Sequence, residues 1–137
     1  MKINPYLHFN GNCEEAMRYY AKVFGGKIDD LQKFAVMPDQ SHTPPGWGDK
    51  LMHASIKVDS DYLMGTDVPP GQYEKPQGHA VSVQTKDKAE AERIYHALAD
   101  GGTEQLPIQK TFWSEAFGMC TDRFGIAWMV NHNPKAD

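Results

Sequence analysis

Apolar residues in this chain recur in two regimes, alternating every second position in some segments and every third or fourth in others. The whole succession is met twice. Residues 2–9 place Ile3, Tyr6, Leu7 and Phe9 in a first strand, with Pro5 restricting it to an edge or to its opening residues. Asn10-Gly11 turns the chain. Asn12 and Glu15 then have the spacing of a capping box, and Ala16, Tyr19, Tyr20 and Val23 share one helical face, so residues 13–24 are expected to be a helix closed by Gly25-Gly26. Residues 27–36 read as a strand. Residues 37–50, with three prolines and two glycines, have no sustained period and read as a loop containing Trp47. Residues 51–58 and 62–68 form a hairpin about Asp59-Ser60-Asp61.

Residues 69–77 carry the densest Pro/Gly break and act as a linker within one domain, separating modules at 1–68 and 78–132. The second module begins with a strand at 79–85. Asp87 and Glu90 repeat the capping box, Ala91, Ile94, Tyr95 and Leu98 line the next helix, and Gly101-Gly102 ends it. A strand at 103–109 follows, and residues 111–132 close the chain as a hairpin turning at Thr121-Asp122-Arg123. Trp113, Ala116, Phe117 and Met119 precede that turn, and Ile126, Trp128 and Val130 alternate after it. Each module therefore reads βαβββ. The fold class is α+β: two βαβββ modules whose paired curved mixed sheets enclose a cleft.

Composition narrows the function. A chain of 137 residues, 40% hydrophobic with a formal charge of −4, suits one globular domain, and its apolar runs fall short of the roughly 18 residues of a membrane helix. The start of the chain has no apolar signal region, which leads us to expect a cytoplasmic protein with no membrane association. Cys13 and Cys120 lack CxxC spacing and read as reduced thiols. No Lys/Arg cluster offers nucleic acid a footprint. A small molecule or another protein is the expected partner.

Three stretches carry a resemblance to a known family: PYLHFNGNCEEAMRYYAKVFGGKI, LMHASIKV followed by DYLMGTD, and FWSEAFGMCTDRFGIAWMVN. Together they resemble the PhnB-like branch of the vicinal oxygen chelate superfamily, which includes glyoxalase I, bleomycin- and fosfomycin-resistance proteins and extradiol dioxygenases. The resemblance covers nearly the whole chain. It implies a glyoxalase/bleomycin-resistance-like fold, a small ligand in the cleft enclosed by paired modules, often a divalent metal, and often a homodimer.

In metal-dependent relatives the ligands are His, Gln or Glu near the start of each module's first strand and on its last strand. Only His79 matches such a position. Pro5 stands at its counterpart, with His8 on the opposite face of that strand, while the last strands present Met64-Gly65 and Trp128-Met129. The expectation is therefore no metal cofactor, with His79 as the single metal-ligand candidate. His53 and Glu115 are candidates for an acid–base pair, and the alternative for each is a scaffold or solvent-facing role. Trp47, Met64, His79, Trp113, Met119, Trp128 and Met129 are candidate pocket residues, since flat rings and polarizable sulfur suit an apolar or aromatic ligand. The leading expectation is metal-independent binding or sequestration of a small organic molecule. The alternative is a lyase, isomerase or oxygenase with an unorthodox His/Glu site, and whether the chain is an enzyme stays open.

Overall fold

The computed structural model describes residues 1–135, which fall into two compact units, one ending at Glu74 and the other beginning at Lys75. The first runs β1 (Tyr6–Phe9), α1 (Cys13–Phe24), β2 (Lys27–Lys33), a 3-10 turn at Phe34–Val36, β3 (Leu51–Val58) and β4 (Asp61–Asp67). The second runs β5 (Val81–Gln84), α2 (Lys88–Ala99), β6 (Thr103–Gln109), β7 (Ala116–Thr121) and β8 (Ala127–His132). Each is a βαβββ unit with a four-stranded sheet, ordered β1-β4-β3-β2 in one and β5-β8-β7-β6 in the other. In both, the first strand pairs parallel with the last and the remaining neighbours are antiparallel. The fold is α+β with two mixed sheets, as the sequence pattern predicts.

Several local expectations need correction. The first strand begins at Tyr6 rather than Lys2, and the second stops at Lys33, where the chain tightens into the 3-10 turn. Asn12 does not cap α1 with its side chain, whose Oδ1 accepts no hydrogen bond. A carboxylate has displaced it as the local acceptor: Asp67, buried at the end of β4, takes the Cys13 N–H at 2.9 Å on one oxygen and the Leu51 N–H at 2.9 Å on the other. An ionised acceptor beside a helix N-terminus gains from the helix dipole as well as from the bond itself. Asp87 does cap α2, accepting from Glu90 N–H at 2.7 Å, while Glu90 reaches back to the N–H of Lys86.

The buried face of α1 is Cys13, Ala16, Met17, Tyr20, Ala21 and Val23, so Met17 belongs to the core and Tyr19 is only half-buried. On α2 the buried set is the expected Ala91, Ile94, Tyr95 and Leu98. Cross-strand register separates the two faces of each sheet. In the first unit Leu7, Gly65, Ala54 and Leu31 form a row on the face that carries Phe9, which packs against Tyr20 of α1 with ring centroids 6.4 Å apart. In the second unit Val81, Trp128 and Cys120 form one row and Val83, Val130 and Gly118 the next, with the ring of Tyr95 lying over Gly118. These rows are the hydrophobic core.

The closing hairpin is shorter and more strongly pinned than its sequence suggests. Residues 111–115 are irregular, and the turn extends to Ile126. The buried Asp122 carboxylate organises it, accepting from Phe124 N–H, Ile126 N–H and the indole Nε1 of Trp128 at 2.8–2.9 Å.

Candidate functional site

The faces turned away from the helices carry different chemistry from the core faces. In the second unit Leu106, Met119, Met129 and Ser82 lie side by side across all four strands, and Gln109, Phe117, Asn131 and Gln84 form the neighbouring row. Leu106, Met119 and Met129 are half-buried and Phe117 is buried. Polar groups border this apolar strip, with Asn131 donating to Gln84 Oε1 at 2.8 Å. Thioether and aromatic surface with a few fixed amide groups beside it is a surface suited to a flat organic molecule.

In the first unit the corresponding face holds Tyr6, Met64, Ser55 and Asp30 in one row. His8 and His53 stand beside it. The Tyr6 hydroxyl lies 2.9 Å from His53 Nδ1, the two rings are stacked with centroids 5.6 Å apart, and His8 meets the Tyr6 ring edge-on at 6.3 Å. Burial, with the Cys13 thiol adding to it, pushes the Tyr6 pKa up, so the phenol remains a protonated donor.

The residues singled out from sequence are distributed among several environments. His53 is half-buried on β3 and partnered by Tyr6. Glu115 is exposed just before β7, and its Oε2 lies 3.7 Å from Nε2 of His132, a buried side chain whose Nδ1 faces the Thr85 carbonyl at 3.0 Å. Within the units, then, His53 and Glu115 each have another partner. Trp47 packs edge-to-face on Phe34 at 5.9 Å, stapling the 37–50 loop, whose Gly48 and Lys50 carbonyls accept from Ala35 and Phe34 N–H. Trp128 is 1% exposed in the core row and tied to Asp122. Trp113 is 46% exposed in the irregular stretch before β7, with Phe112 at 4.7 Å and Phe117 at 5.5 Å from its ring. His79 is exposed and precedes β5 rather than lying on it. Met64, Met119 and Met129 share the faces away from the helices.

Tyr6 and His132 were not among the residues singled out. For Tyr6 a signal exists, because Leu7 and Phe9 are the buried alternates of β1 and set Tyr6 and His8 together on the other side. Its pairing with His53 depends on a strand order that local pattern does not encode.

Among the described residues, no three His, Cys, Asp or Glu side chains are gathered where they could hold a metal. The positions facing away from the helices near the last strands offer Met64 and Met129, soft thioethers ill-matched to a hard cation. Both cysteines are buried thiols: burial, with Asp122 and Glu104 adding to it, pushes Cys120 up to about 11, and burial with Asp67 and Glu14 raises Cys13 as well. Neither is an activated nucleophile. Among the described residues no helix is long and apolar enough to cross a membrane.

Comparison with known proteins places this geometry in context. Residues 1–131 match the model of a family described as 3-demethylubiquinone-9 3-methyltransferase. The crystal structure of protein PA1353 from Pseudomonas aeruginosa is 46% identical, covers 97% of this chain and 98% of its own, and superposes with a TM-score of 0.89. A Bacillus cereus PhnB protein, itself titled a putative 3-demethylubiquinone-9 3-methyltransferase, is 24% identical over 96% of this chain and 99% of its own, with a TM-score of 0.78. A glyoxylase/bleomycin resistance protein/dioxygenase domain from Frankia shares the fold at 13% identity and a TM-score of 0.64, covering 97% of each chain.

Proposed function

Because the chain belongs to the 3-demethylubiquinone-9 3-methyltransferase family, the PhnB-like branch of the vicinal oxygen chelate superfamily, we propose that it binds a small aromatic organic molecule without a metal ion. The observation that carries this reading is the half-buried strip of Leu106, Met119 and Met129 beside Phe117, on the sheet face that α2 leaves free. Side chains filling a core are driven to close packing. A row of thioethers that stays partly accessible and is bordered by the Asn131 and Gln84 amides is better suited to receiving a guest.

The family's description speaks of methyl transfer to a demethylubiquinone, a ring of the kind this surface suits. The chain has no glycine-rich loop of the kind that cradles a nucleotide-like cosubstrate, and the proposed role is binding of the ring. An acid–base enzyme built on His53, His79 and Glu115 is less well supported, since His53 is engaged by Tyr6, Glu115 by His132, and His79 lies exposed ahead of β5.

The test is thermal unfolding of chelator-treated protein against phenols, acetophenones, benzoquinones and aliphatic acids, with elemental analysis of the same samples. A ligand at a hundredfold excess over its Kd adds about 2.7 kcal/mol to stability. Aromatic members are expected to raise the midpoint with less than a tenth of an equivalent of metal present. Stabilisation that appears only after one equivalent of zinc or manganese is restored would contradict the proposal.

A further inference from the structure

We propose that the Tyr6–His53 pair is a ligand anchor that recognises a hydrogen-bond acceptor oxygen, such as the carbonyl of an aromatic ketone or quinone. The inference rests on the small-molecule reading above and concerns the corresponding sheet face of the first unit. Imidazole has two distinct ring nitrogens, and the partner of one decides the protonation of the other. Tyr6 Oη lies 2.9 Å from His53 Nδ1. A phenol is a better donor than acceptor, so its proton goes to Nδ1, which must then be the unprotonated nitrogen. The hydrogen is thereby fixed on Nε2. No hydrogen bond from Nε2 is formed among the described residues, so the donor is available.

Its surroundings suit a ring carrying one acceptor. Tyr6, partly exposed at 45%, stacks on the imidazole and holds its plane. Met64, next to Tyr6 in the parallel β1–β4 register, offers polarizable sulfur on the same face, and His8 lies edge-on to the Tyr6 ring. Thr66 shares that face but does not compete for the ligand, because its hydroxyl is spent on the Met52 carbonyl at 2.7 Å. A ring lying against Met64 with its oxygen at Nε2–H replaces water on a donor whose orientation is already set, which limits the ordering cost of binding.

The experiment compares acetophenone with ethylbenzene, which have nearly the same shape and differ in the carbonyl oxygen. Affinities are read by NMR titration of wild type, Tyr6→Phe and His53→Phe, and the His53 ring nitrogens are observed by 15N NMR in free wild type and free Tyr6→Phe. Wild type is expected to hold the Nε2–H tautomer and to bind acetophenone about five- to tenfold more tightly than ethylbenzene. Both variants should lose much of that preference, Tyr6→Phe because the imidazole proton is no longer held on Nε2 and His53→Phe because the donor is gone. Equal binding of the two probes to wild type, or an Nδ1–H tautomer, overturns the anchor and leaves the small-molecule reading standing. Binding of neither probe overturns both. Should His53→Phe fold poorly, the partly exposed Tyr6→Phe carries the comparison alone.

Discussion

Cys120 shows how a single side chain links packing to solution behaviour. Burial raises its pKa to about 11, from an ordinary value of 9.0. Cys13 is raised in the same direction, mainly by burial. A thiol whose folded pKa lies above its unfolded one favours folding while it stays protonated. That contribution is complete below about pH 9 and is lost as the pH climbs through the folded value near 11. The urea midpoint is therefore expected to fall between pH 9 and 11, and Cys120→Ala to flatten part of that fall. At pH 8 Ellman's reagent should find no fast thiol in native protein and both in urea; rapid labelling of the native chain would show that a thiolate is exposed. The inert character of both cysteines was legible in the sequence from the apolar setting of one and the acidic neighbours of the other. The Tyr6–His53 pair was not, because 47 residues separate its members and only the β1-β4-β3 order brings them together.

At the scale of elements, glycine and aspartate explain where sequence rules held and where they failed. Gly25, with φ of 68°, ends α1 in the left-handed conformation its sequence predicts, and Asp87 caps α2 as expected. Asn12 fails as a cap because Asp67, distant in sequence, supplies an ionised acceptor to the first turn. Gly118 is a different case. A Cβ there would sit 2.6 Å from the Tyr95 ring, which cannot retreat, since it is fully buried and its hydroxyl donates to the carbonyls of Leu106 and Met119 at 3.1 and 3.3 Å. Gly118→Ala is expected to cost about 1–3 kcal/mol in urea denaturation through overpacking. Gly48→Ala, whose nearest neighbour would be Ala35 Cβ at 3.6 Å, should stay within about 0.5 kcal/mol. Equal effects at the two sites would mean that Tyr95 does not hold α2 against β7 in this way.

The whole molecule repeats one topology, and that repetition was its most legible property. Two βαβββ succession patterns, each with a helix followed by a Gly-Gly stop, became two sheets of identical strand order. The candidate site was legible only in part. Period two marks Met64, Met119 and Met129 as alternates of buried neighbours, but it does not separate a core ring such as Trp128 from a surface ring such as Trp113. That distinction depends on where β7 begins and on the Asp122 turn that captures the Trp128 indole. The central claim is that the faces away from the helices, rather than the helix-covered cores, receive an aromatic ligand. Methyl-13C labelling of the seven methionines tests it directly, with acetophenone added to chelator-treated protein. The Met64, Met119 and Met129 methyl signals should move in a saturable way while that of Met17, wholly buried beneath its sheet, stays in place. Stationary signals from those three, or an equal shift at Met17, would contradict it.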